Sequence, residues 1–106
     1  MDNQPQFPKR LKEARLRIGI SQKELGIRAG INEFGASTRM NQYEKGVHAP
    51  SYLTAERIAK QLGVPSCYLY CAEDEVATLL LRYSKLNAVE RKRLLKHLEQ
   101  NEKKSR

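Results

Sequence analysis

The sequence predicts an all-α chain of five short helices followed by a longer helical pair. Three observations predict it. Apolar residues recur at helical spacing along most of the length, glycines stand where successive stretches of that pattern stop, and Ser or Asn precedes several stretches at capping positions. No strand-like alternation competes, and no internal repeat or low-complexity tract interrupts the pattern.

Residues 1–6 read as a loose polar arm. Phe7, Leu11, Ala14 and Ile18 then fall on one helical face, with Pro8 suited to the first turn and Gly19 closing the helix. Ser21 caps a second helix, where Glu24 supplies a capping-box spacing, Leu25 and Ala29 point inward, and Gly30 ends it. The stretch 31–36, INEFGA, is a connection. A third helix is expected from about Ser37 to Lys45, buried through Met40 and Tyr43 and ended by Gly46.

After a loop at His48–Pro50, Ser51 caps a fourth helix whose stripe is Tyr52, Ala55, Ile58, Ala59 and Leu62, closed by Gly63. Ser66 is expected to cap a short fifth helix running to about Ala72. Val76, Leu79, Leu80 and Tyr83 mark a sixth. Asn87 and Glu90 repeat the capping-box spacing ahead of a seventh carrying Leu94, Leu95 and Leu98, and the tail NEKKSR is expected to fray.

The 106 residues suit one compact helical domain with an appended dimer element, and leave little room for a second catalytic or sensing domain. A formal charge of +8 favours nucleic acid or an anionic surface as partner, although charge alone fits an ordinary solvated surface equally well. No apolar run reaches membrane-spanning length, and the N-terminus lacks a signal peptide's apolar core, so a cytoplasmic location is expected. Cys67 and Cys71 are then expected to be reduced, buried thiols sharing a helix face. A zinc site would need further ligands, and His48 and His97 have no such spacing. No metal, cofactor or catalytic residue is expected, because no nucleophile with a placed base, phosphate-cradling glycine loop or carboxylate pair is present.

A longer set of residues carries more weight. RLKEARLRIGISQKEL at 10–25, MNQYEKGVHAPS at 40–51 and RIAKQLGVP at 57–65 together resemble the phage Cro/repressor helix-turn-helix family over residues 7–72. The resemblance implies a five-helix DNA-binding domain whose third helix enters the major groove of double-stranded DNA. Position for position it makes Ser37, Thr38 and Gln42 base-reading residues, with Arg39 and Asn41 beside them. The chemistry suits that role: Gln and Asn pair with adenine, Arg with guanine, and Thr touches a thymine methyl.

Gln22 matches a family phosphate contact, and Lys23, Lys45 and His48 either extend that track or are simply solvated surface residues. Arg15 and Glu44 match a family ion pair tying the first helix to the third, and we read them as structural. Residues 73–106 form a helical extension whose apolar surface exceeds what the first domain needs, so dimerisation is expected of it. The alternative is that it folds back on its own domain. The basic run Arg91, Lys92, Arg93 with Lys96 is either the wet side of that extension or an attraction to flanking DNA.

One departure stands out. Between Gly30 and Tyr43 the chain spends about four residues more than the family's short turn. This leaves two placements open: Asn32 or Glu33 raised towards DNA, or Phe34 folded back as a core plug. The functional expectation is a DNA-binding transcriptional regulator, a repressor acting as a homodimer on a palindromic operator. The alternative is an antitoxin-like protein that neutralises a partner toxin and regulates its own operon.

Overall fold

The computed structural model describes residues 6–104, and these form seven α-helices and no strand. They are α1 (Phe7–Ile18), α2 (Gln22–Arg28), α3 (Ala36–Lys45), α4 (Tyr52–Leu62), α5 (Ser66–Leu69), α6 (Asp74–Ser84) and α7 (Ala88–Lys104). The all-α expectation is met. Of the expected polar arm only Gln6 lies within the described residues, where it stands at the N-cap of α1. The tail departs from expectation, since Asn101–Lys104 continue α7, while residues 105 and 106 fall outside the described range.

Local signals set the helix ends. Ser21 Oγ accepts the Glu24 amide at 3.0 Å, but the Glu24 carboxylate turns to Arg28 at 2.8 Å, so that cap is one-sided. At α7 the exchange is reciprocal: Asn87 Oδ1 takes the Glu90 amide at 2.8 Å and Glu90 Oε1 takes the Asn87 amide at 3.0 Å. Ser66 does not cap α5. Pro65 occupies the N-cap, Ser66 is the first helical residue, and the helix ends at Leu69, three residues short of Ala72.

The core gathers Phe7, Leu11 and Ala14 from α1, Leu25 from α2, Met40 and Tyr43 from α3, and Ala55, Ile58, Ala59 and Leu62 from α4. Ala29, Tyr68, Leu69 and Ala77 complete it. Ile18 and Tyr52, expected inside, are 42% and 68% exposed, because each sits at a helix end where the apolar stripe has turned off the core. Between α2 and α3 the packing is close. A Cβ on Gly26 would stand 2.9 Å from Cβ of Ala36, so the approach of these helices requires glycine there.

The extension divides in two. α6 leans on the core through Ala77, Leu80 and Leu81, one position round from the expected face, and leaves Val76 and Leu79 in solvent. α7 buries no residue at all. Within it Leu94 is half-buried, while Val89, Leu95 and Leu98 are exposed. Arg91 does not belong to a wet basic face. Its guanidinium donates to the carbonyls of Tyr83 at 3.3 Å and Ser84 at 3.0 Å and lies 4.8 Å from the Tyr83 ring centroid, whereas Lys92, Arg93 and Lys96 are exposed.

Candidate nucleic-acid interface

α3 presents the candidate interface because its opposite face is committed to the core. Ala36, Met40 and Tyr43 are buried and fix one side. At 100° per residue the opposite side then carries Thr38, Asn41, Gln42 and Lys45. Ser37 lies on the flank towards α2. Arg39 lies on the other flank, where Arg39, Gln42, Tyr43, His48 and Ala49 line a shallow polar recess. Ser37, Thr38, Arg39, Lys45 and His48 are exposed, and Asn41 and Gln42 half-buried. The third helix begins at Ala36, one residue ahead of the expected start.

Behind this face runs a polar brace. Arg15 of α1 donates from Nε to Glu44 Oε2 at 2.6 Å and from Nη2 to Oε1 at 3.1 Å, while its Nη1 reaches the Ile20 carbonyl at 2.9 Å. The two side chains are 11% and 3% exposed. The hydrogen bond to Glu44 raises the Arg15 pKa further above its ordinary value, against the opposing effect of burial, so the cation is permanent.

Gln22, at the first position of α2, joins the brace. Its Nε2 donates to Glu44 Oε1 at 3.1 Å and to Asn41 Oδ1 at 3.2 Å. Both amide hydrogens are therefore engaged, and a phosphate contact from this side chain requires one of those bonds to open. Lys23, beside it, is exposed.

The lengthened turn overturns one of the two placements that the sequence left open. The ring of Phe34 is not a core plug: Phe34 is 92% exposed. Gly30 at φ +91° turns the chain, the Ile31 amide bonds the Gly26 carbonyl at 2.9 Å, and Asn32 Oδ1 accepts the Phe34 amide at 2.9 Å. Asn32 thus shapes the turn, leaving Glu33 and Phe34 in solvent.

The expectation of two buried thiols sharing a helix face is corrected. Cys67 is exposed, and Cys71, beyond the end of α5, is half-buried with Sγ 3.4 Å from the Glu73 carbonyl. Among the described residues no cluster of His, Cys, Asp and Glu could hold a metal ion, and no helix is long and apolar enough to cross a membrane.

Sequence reasoning missed Arg10. Its position, three after Phe7 and four before Ala14, lies on the core face of α1, and that spacing was the available signal. It is 3% exposed, donates to the Cys71 carbonyl at 3.0 Å, pairs with Asp74 at 3.0 Å and lies 5.8 Å from the Tyr68 ring centroid. Lys9 reaches the same carboxylate at 3.5 Å. These two cations hold the Asp74 pKa below its ordinary value and fasten the start of α6 to α1.

The chain is similar to the crystal structure of the transcriptional regulator BswR, with a TM-score of 0.82 and 50% sequence identity over 88% of this chain and 92% of that one. It belongs to that family of transcriptional regulators. No family model matches the chain, and no curated protein sequence does.

Proposed function

We propose that the chain is a sequence-specific transcriptional regulator of double-stranded DNA, a repressor that binds a palindromic operator as a cytoplasmic homodimer. The observation that carries this reading is α3 itself: a helix anchored on one face by Ala36, Met40 and Tyr43, with hydrogen-bonding side chains turned outward on the other. Such a helix suits the major groove, where base edges present donors and acceptors in a pattern unique to each pair. Thr38 and Gln42, one turn apart, read bases, with Ser37, Arg39 and Asn41 at the margins. Asn41 acts mainly as a donor, because its oxygen is taken by Gln22. Lys23, Lys45 and His48 meet phosphates, and Gln22 orients Asn41 as well as facing the backbone.

Dimerisation is assigned to α7. Its exposed Val89, Leu95 and Leu98 have no cover from the rest of the described chain, and a lone amphipathic helix gains most of its stability from packing. A two-fold dimer would place its two recognition helices ~34 Å apart, one turn of duplex. Selection of bound sites from random duplexes, with stoichiometry measured by sedimentation, tests both parts. A palindromic consensus bound by two chains supports the reading. Indiscriminate binding would contradict it, and a chain monomeric on its own would hand the α7 face to a different protein partner, as an antitoxin requires.

A further inference from the structure

We propose that Phe34 is a specificity-determining residue that packs against the C5-methyl of a thymine at the edge of each half-site; this rests on the reading of α3 as the recognition helix. Phe34 stands two residues ahead of Ala36, where α3 begins, and three ahead of the exposed Ser37, which Thr38 follows. At 92% exposure it is the most exposed large apolar side chain among the described residues. Nothing in its own chain covers the ring.

The turn that carries Phe34 is built rather than slack. The Phe34 amide is held by Asn32 Oδ1 at 2.9 Å, the Gly35 amide by the Asn32 carbonyl at 3.0 Å, and the Arg39 amide by the Gly35 carbonyl at 2.8 Å. The ring is therefore displayed from a fixed platform continuous with the first turn of α3. Its chemistry selects among the surfaces of a duplex. Phenylalanine has nothing to offer a phosphate oxygen. The apolar element that major-groove edges present is the thymine methyl, a recognised partner for Phe.

The test uses the full chain and its operator from random-duplex selection, remade with single deoxyuridine-for-thymidine replacements, each of which removes one methyl. Wild type should lose about fourfold in affinity at one thymine per half-site, the worth of one buried methyl-sized group. Phe34→Ala should bind thymidine and deoxyuridine duplexes alike, with Phe34→Leu in between and all three melting at the same temperature. An unchanged deoxyuridine penalty in Phe34→Ala overturns the proposal. So does equal weakening on every duplex, which would place the ring on the sugar-phosphate chain, or a change of oligomeric state, which would place it on protein. If wild type selects no sequence at all, the proposed function fails first and this contact with it.

Discussion

The guanidinium of Arg15 grips the carboxylate of Glu44 through two hydrogen bonds, 2.6 and 3.1 Å long, and so joins α1 to the C-terminal half of α3. The same carboxylate takes a third bond from Gln22, so one anion positions three helices. Its removal strands a cation whose side chain is 11% exposed. Glu44→Ala is expected to cost ~3–5 kcal/mol of stability while leaving base preference nearly unaltered. Chemical denaturation beside binding to a duplex panel checks this, and a melting temperature equal to wild type would contradict the assigned role.

Gln42 is expected to act in the opposite way. It sits on the outward face, half-buried beside Arg39 and His48, and outside the brace. Gln42→Ala should lose ~1–3 kcal/mol at one or two operator positions and little on unrelated duplexes. Uniform weakening across all sequences would reassign the side chain to the backbone.

Acid should loosen α6. Arg10 and Lys9 depress the Asp74 pKa, so the pair's contribution is complete above the ordinary value of 3.8 and is lost as pH falls through the lower folded value. The carboxylate is largely exposed and solvent screens it, so the effect is local rather than global. Amide exchange in α6 should accelerate in wild type only as pH falls below 3.8 and through the lower folded value. In Asp74→Asn it should already be fast at neutral pH, with no further acid step from this site.

The α7 assignment can be tested without shortening the chain into its core. A cut after Ala72 would remove Asp74 and Ala77 and so uncover Arg10, whereas Leu95→Lys with Leu98→Lys touches only exposed positions. The double variant should sediment as a monomer, keep its helical content and bind a full operator far more weakly. A persistent dimer would move the interface elsewhere.

Helix placement was legible in the sequence because capping residues and glycines act locally. Ser21, Ser51 and Asn87 bond backbone amides within three residues of themselves, so their neighbours alone announce them. What was not legible depends on where helices meet. The face of α6 was set one position off because contact with the core is made through Ala77, a small residue that carries little weight in an apolar stripe. Tyr52 and Ile18 continue their stripes past the point where any neighbour remains to cover them. Arg10 was hidden by its charge, since its burial is made tolerable by the carboxylates of Glu13 and Asp74 and the carbonyls of Cys71 and Ala72. Of the interface, the polar character of α3 could be read directly. The bonds from Gln22 to Asn41 and Glu44 could not, because they cross between helices.

Only Lys85, Leu86 and Asn87 separate α6 from α7, and this elbow is clamped from both sides. Asn87 and Glu90 lock the start of α7, while Arg91 reaches back to the Tyr83 and Ser84 carbonyls. If two chains meet through α7, the distance between their reading heads is fixed by a stiff joint rather than a tether. Each base pair inserted between half-sites swings the second one about 34° around the duplex. A stiff joint cannot follow that swing, so the length of the operator's spacer becomes part of its address.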